Sequence, residues 1–157
     1  MSLRHARLSD APDLHRVYGN ADAMRYWSGP PDATLAETEQ RVDGFVAEPP
    51  PFLYRVIERD GRAIGTLGIH QDTEIGFILH PDHWRQGILR EAMTLYVPWF
   101  FDIIGASRMT ADVDPRNTTS MSALKALGFK QTGFEKNTFC VDGDWSDSAY
   151  FELKHTR

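Results

Sequence analysis

Three groups of residues in this chain have types and spacings that could do chemistry. The first is the run Phe77-Ile78-Leu79-His80-Pro81-Asp82-His83-Trp84-Arg85-Gln86-Gly87-Ile88-Leu89-Arg90, which reads as a strand, a short loop and a helix start. The first amides of a helix have no partner within it and lie at the positive end of its dipole, so this arrangement suits a phosphate. Gly87 would let the backbone approach an anion closely, and Arg85 and Arg90 could add charge-assisted contacts. A glycine there is also a common turn, and arginines on a helix end are often only solvated. Spacing alone leaves both readings open.

The second group is a pair of carboxylates. Glu74 opens the strand that leads into that loop, and Asp112 ends a later strand, five residues before Asn117. Either could accept a proton through water, with a pKa raised by partial burial, and either could be a structural acid at a strand end. The third group is scattered. Ser120, at the third helical position after Asn117, is placed for a local helix-start hydrogen bond. His80 and His83 straddle a loop and have no third ligand at matching spacing, so no metal site is expected. Cys140, the one cysteine, cannot form an internal disulfide and reads as a packing residue.

The elements that must position these groups follow from periodicity and punctuation. Residues 2–7 read as a short strand, Ser9 as an N-cap, and Leu14, Val17 and Tyr18 as the apolar face of a first helix. Thr34 and Glu37 have capping-box spacing before a helix buried through Leu35, Val42, Phe45 and Val46. Strands are expected over 52–57, 64–69 and 74–80, the first two joined by an Asp60-Gly61 hairpin turn. A helix follows over 87–101, with Pro98 expected to kink it or end it early. A strand over 109–113, an Asn117-capped helix closed by Gly128, and strands over 130–141 and 145–153 joined at Asp142-Gly143 complete the chain. The order predicts one α/β domain over 1–157. Its mixed, mostly antiparallel sheet has about seven strands, flanked by about four helices, because four connections are too short for a helical crossover.

Composition narrows the function. At 157 residues, 41% of them hydrophobic and 25% charged, the chain is sized for one globular core. No apolar run approaches the ~20 residues of a membrane span, and the first residues lack the apolar core of a signal peptide, so no membrane partner and a cytoplasmic location are expected. A formal charge of −5 without a Lys/Arg cluster argues against nucleic acid and favours a cationic partner. An anionic cofactor would then need a local site that overcomes the average field.

The strand leading to Arg85-Gln86-Gly87 and a helix, with Asn117 and Gly128-Phe129 downstream, resembles the acetyl-CoA motif of the GNAT N-acetyltransferases, and the order of elements agrees over nearly the whole chain. Within that superfamily the chain is most similar to the branch acetylating protein N-termini, including those of ribosomal proteins, through Trp84, Glu91-Ala92, Asn117, Ser120 and Gly128-Phe129. The resemblance implies splayed central strands and acetyl-CoA as cosubstrate. Backbone groups of Phe77, Ile78 and Leu79 would align the thioester arm, amides of Arg85, Gln86, Gly87, Ile88, Leu89 and Arg90 would hold the pyrophosphate, and Asn117 would touch the coenzyme between them. It puts Glu74 where histone-acetylating relatives keep a general base, and Asp112 where a bacterial N-terminal acetyltransferase keeps its proton acceptor.

There are two departures. Leu89 stands where the family keeps Gly or Ala, and Leu124 where many members place a tyrosine acid, for which the ribosomal-protein branch offers Ser120. Tyr26 and Trp27, with Pro30 and Pro31 behind them, would lie over the acceptor site; an aromatic plug in the core is the other reading of that loop. The expected acceptor is a primary amine, at a protein N-terminus or on a small molecule such as an antibiotic. A non-catalytic acyl-CoA sensor is the alternative, and a homodimer is left open. Transfer needs a neutral amine: at pH 7 an amine of pKa ≈ 10.4 is neutral in about 0.04% of molecules and an α-amine near 7.8 in about 14%, a difference of ~3.5 kcal/mol.

Overall fold

Two Asp-Gly pairs fold the chain back on itself. Asp60 and Gly61 have φ of 52° and 75°, and Asp142 and Gly143 have 49° and 83°, the left-handed pairs that two-residue hairpin turns require. The computed structural model describes residues 1–156. In chain order the elements are β1 (Ser2–Arg4), α1 (Ala11–Tyr18), α2 (Ala21–Met24), α3 (Leu35–Ala47), β2 (Arg55–Arg59), β3 (Arg62–Gln71) and β4 (Glu74–Leu79), then α4 (Ile88–Ile104), β5 (Arg108–Val113), α5 (Thr118–Ala126), β6 (Lys130–Val141) and β7 (Asp144–Lys154). The seven strands form one sheet in the order β1-β2-β3-β4-β5-β7-β6, antiparallel throughout except at β4/β5. This is the mixed α/β domain expected.

Each sheet face has its own core. Leu67, Ile69, Ile75, Met109, Ala111 and Phe151 pack under α4 and against Leu124 of α5. On the opposite face Val56, Ala63 and Ile78 pack against Leu14, Val17 and Tyr18 of α1, Met24 of α2 and Val42 of α3. At the junction of α1 and β3, the buried Tyr18 hydroxyl and Thr66 Oγ1 share a 2.6 Å hydrogen bond.

Several boundaries differ from expectation. The first strand stops at Arg4, because the chain turns at Asp10, whose carboxylate binds the Arg4 guanidinium and the Arg7 amide; Asp10, not Ser9, precedes α1. Strand β2 begins at Arg55 rather than residue 52, since Phe52 has φ 58° and cannot extend a strand. The one-turn helix α2, capped by Asn20 accepting from the Asp22 and Ala23 amides, makes five helices rather than four. Pro98 does not end its helix: α4 continues to Ile104 and stops at Gly105, φ 67°. Tyr96, Phe100 and Phe101 are buried on both sides of Pro98. Their burial, about 1.5–3 kcal/mol each, outweighs the roughly 3 kcal/mol cost of an internal proline.

Candidate active site

The parallel pair β4/β5 is joined only at its start. Glu74 lies opposite Thr110, and the Thr110 amide donates to the Thr73 carbonyl at 2.8 Å. Beyond this rung the strands separate towards Leu79 and Val113, leaving the splayed notch expected at the centre of the sheet. Backbone direction in β4 follows from its pairing with β3. The His80 amide bonds the Ile64 carbonyl, and strand amides alternate sides. Phe77 and Leu79 therefore turn their backbone groups towards the notch, while Ile78 turns its own towards β3 and buries its side chain under α1. The three residues expected to line a coenzyme arm thus divide two to one.

The notch leads to the loop before α4. Arg85 has φ 58° and Gly87 φ 74°, so two left-handed residues flank Gln86 and curl successive amides into a concave row. The amides of Arg85, Gln86, Gly87, Ile88, Leu89 and Arg90 have no hydrogen-bond partner among the described residues; the first helical bond runs from the Glu91 amide to the Gly87 carbonyl. Side chains brace the curl from outside. The Trp84 indole donates to the Leu79 carbonyl at 2.8 Å, and Gln86 donates to the Asp82 carbonyl while accepting from Arg59. The bracing by Arg59 was not legible in the sequence, where Arg59 is a residue of a hairpin. Leu89 packs against the core beneath α4, and the exposed Arg85 and Arg90 flank the amide row.

Glu74 and Asp112 lie at positions alternate to Ile75, Ala111 and Val113 and so project to the other sheet face, towards α1–α3. They line one cleft of about 180 Å³ with Tyr26, Trp27, Asn117 and Ser120. All three proposed proton-handling residues and both loop aromatics therefore meet. Burial pushes the Glu74 pKa up, and the Asp112 charge pushes it further, against a small opposing effect of His70. Asp112 is also raised by burial, partly offset by a hydrogen bond to Ser148. Burial thus raises both members of the pair, and the Asp112 charge further disfavours ionisation of Glu74.

Asn117 caps α5, its side-chain oxygen accepting from the Ser120 amide at 3.1 Å, which leaves its amide nitrogen and the Ser120 hydroxyl for the cleft. The loop over the cleft is tied down behind its aromatics. Asp32 takes both Arg41 (2.7 Å) and the Thr38 hydroxyl (2.9 Å), and the Asp32 amide donates to the Tyr18 carbonyl. This clamp was missed in the sequence, although Asp32 and Arg41 flank a capped helix start. His80 and His83 stand with ring centroids 6.2 Å apart, and the His80 ring accepts from the Asp82 amide.

A sheet opened between two parallel strands, with free amides beyond the opening and paired carboxylates beside it, is the architecture of a transferase that draws an acyl thioester alongside an acceptor cleft. The acetyltransferase (GNAT) domain model matches residues 1–130. The chain is 26% identical over 165 residues to an uncharacterized N-acetyltransferase of Bacillus subtilis (strain 168), covering 99% of this chain and 93% of that protein. Its fold superposes on spermidine N-acetyltransferase from Vibrio cholerae, solved with CoA and spermine (TM-score 0.81, 20% identity, 98% and 94% coverage). It superposes also on the Salmonella typhimurium acetyl transferase that modifies the N-terminal serine of ribosomal protein L7/L12 (TM-score 0.84, 18% identity, 98% and 94%). The chain belongs to the GNAT acetyltransferase family, and it is an N-acetyltransferase, transferring acetyl from acetyl-CoA to an amine. No helix among the described residues is long and apolar enough to cross a membrane.

Proposed function

We propose that the acceptor is a primary amine that enters the Glu74–Asp112 cleft as an ammonium ion, while acetyl-CoA lies from the β4/β5 notch to the start of α4. The observation that carries this reading is that two carboxylates of raised proton affinity line the wall of the notch itself. The coenzyme fits the residues present. Unpartnered amides of Arg85 to Arg90 match a pyrophosphate, and the unmet backbone groups of Phe77 and Leu79 match an amide-bearing arm. The CoA bound in the Vibrio cholerae relative supports the same reading.

The bound coenzyme would supply a thioester, whose C–S bond breaks as the acceptor nitrogen bonds the acetyl carbon; the second proton the nitrogen sheds as the amide forms goes to the departing thiolate. Glu74 accepts the ammonium proton, directly or through water, because its raised pKa brings it nearer that of the amine. Asp112 keeps the cleft negative, draws the cation in and raises Glu74. Tyr26 and Trp27 cover the amine and exclude bulk water. Ser120 and the Asn117 amide stand at the α5 end of the cleft, where a hydroxyl can hydrogen-bond a departing thiolate. A thiol of pKa near 8.5 leaves readily enough that no stronger acid is needed, so Leu124 in place of a tyrosine is no obstacle.

The test is release of CoA thiol with a panel of primary amines, beside calorimetric binding of acetyl-CoA. Turnover by the wild type, and retained binding with lost turnover in Glu74→Gln, are expected. Full turnover by Glu74→Gln and Asp112→Asn together at pH 7 would remove the carboxylates from the mechanism.

A further inference from the structure

The second cavity of the molecule lies under the loop of residues 25–34, between it and α3, with a volume of about 700 Å³. It adjoins the Glu74–Asp112 cleft: Trp27, Ser28, Tyr54 and His70 line both. The cleft alone, at about 180 Å³, is smaller than the ~300–1,000 Å³ of ordinary small-molecule sites, and the adjoining space offers room for an acceptor longer than a few carbons. Resting on the acceptor cleft proposed above, we infer that the two spaces are one trench, and that the far end, at Glu48, binds the second ammonium of a diamine.

The walls match that chemistry. Tyr18 and Trp27 meet edge to face at 5.8 Å, Tyr18 and Phe45 at 6.4 Å, and Phe45 and Tyr54 stack at 4.6 Å, giving an aromatic arc along the trench. Ring faces attract cations and their sides cover methylene chains. The arc already carries one cation, the Arg41 guanidinium 4.3 Å over Tyr18.

Three carboxylates line the large cavity, and hydrogen bonding and burial distinguish them. Asp32 is engaged on both oxygens by Arg41 and Thr38, and Glu37 is held by the Ala33 and Thr34 amides. Glu48 accepts one bond, from the Tyr54 amide at 2.9 Å, and its other oxygen has no partner among the described residues. Both bonds to Glu37 fall on one oxygen, so among the described residues Glu37 and Glu48 each keep a free one. Glu37 is exposed, whereas Glu48 is half-buried beside Tyr54, which makes Glu48 the carboxylate placed for a ligand inside the cavity. Tyr54 lines both spaces, and its phenol, raised chiefly by burial, feels the charges of both Glu48 and Glu74. A polypeptide acceptor would need partners for its amides, and the large cavity is walled by rings, helix α3 and a loop rather than by a free strand edge.

The experiment compares kcat/KM, read as CoA thiol release, for α,ω-diaminoalkanes of three to six carbons, 1-aminoalkanes of the same lengths, and a tetrapeptide with a free α-amine. At the best length the diamine should exceed its monoamine by about tenfold or more, the size of a hydrogen bond to a charged group. In Glu48→Gln, which keeps an acceptor oxygen for the Tyr54 amide, that ratio should fall below about threefold, chiefly through KM of the diamine. Because it is a ratio within one protein, partial loss of folded enzyme cancels. Equal rates for mono- and diamines, a ratio unchanged in Glu48→Gln, or a peptide acetylated faster than every diamine each overturns the inference and leaves the acceptor cleft standing. Acetyl-CoA binding with no turnover of any amine would overturn the cleft as well.

Discussion

Between Trp84 and Glu91 one short stretch of chain presents a row of unpartnered backbone amides, curled by two left-handed residues, which is the proposed coenzyme surface. Around Glu74 and Asp112 the surface is assembled instead from side chains that β4, β5, α5 and the loop after α2 bring together. The first kind of site is set by φ angles and tolerates changes of side chain; the second depends on single side chains and on the clamps that hold their elements in place. Mutations should therefore sort into two classes, with coenzyme affinity following backbone conformation and acceptor chemistry following individual carboxylates.

The largest expected effect tests the side-chain half. Glu74→Gln should lower kcat by about 10² to 10⁴, the usual size of a general-base contribution, with acetyl-CoA affinity unchanged. The deficit should shrink as pH rises, because solvent then supplies neutral amine. A deficit constant between pH 6 and 9.5 would point to damaged geometry instead.

Next comes the backbone half. Gly87→Val places a β-branched residue at φ 74°, where strain of about 1–3 kcal/mol, relieved by moving the amides out of line, translates into roughly 5- to 150-fold weaker acetyl-CoA binding. Arg90→Ala, a side-chain change on the same helix start, should cost less than about threefold. Calorimetry giving the reverse order would show that guanidinium charge, not amide direction, holds the coenzyme.

A smaller effect should follow from loosening the acceptor loop. Asp32→Asn weakens its bonds to Arg41 and Thr38, and should raise KM for the amine by about 3- to 10-fold, an ordinary hydrogen bond's worth, while coenzyme affinity stays constant. Burial alone would raise the Asp32 pKa, but Arg41 and Thr38 more than offset it and leave it lowered. Its stabilising contribution is thus present above the unfolded-state pKa and lost as pH falls through the folded value, and the acid limb of a melting-temperature profile should be shallower in the variant.

The smallest effects concern coupling within the carboxylate pair. Asp112→Asn removes the charge that helps raise Glu74, so the acid limb of the kcat/KM profile should move to lower pH. Folding raises the Glu74 pKa, so this group's contribution to stability is full below the unfolded value and falls away as pH rises through the folded one. Glu74→Gln should therefore melt slightly above the wild type at pH 7, the opposite sign to its effect on rate.

Legibility followed the range of the interactions. Both Asp-Gly turns, the Thr34–Glu37 capping box, the Asn117 cap and the Gly87 helix start are local, and each stands where spacing predicted it. The errors were also local signals, overruled by distant partners. Pro98 reads as a kink or an early end, and the early end does not occur because the buried face of α4 on either side of it prevails; Ser9 reads as a cap, but the Arg4–Asp10 ion pair sets the turn. Within the site, Gly87 and the carboxylates were visible as residue types. That Ile78 faces away from the notch while Phe77 and Leu79 face into it depends on register with β3, which no residue in 77–79 announces.

Residue order alone was enough to give an α/β domain, a strand running into a glycine-started helix, and two acids on strands that could neighbour each other. These depend on periodicity and capping, which act within a few residues. The place at which β4 parts from β5, the meeting of Glu74 with Asp112, and the sharing of Trp27, Ser28, Tyr54 and His70 between their cleft and the Glu48 cavity were settled only by folding. They arise because opposite sheet faces bury separate cores against α4 and against α1–α3, and that packing orients strands whose own sequences carry no record of their neighbours.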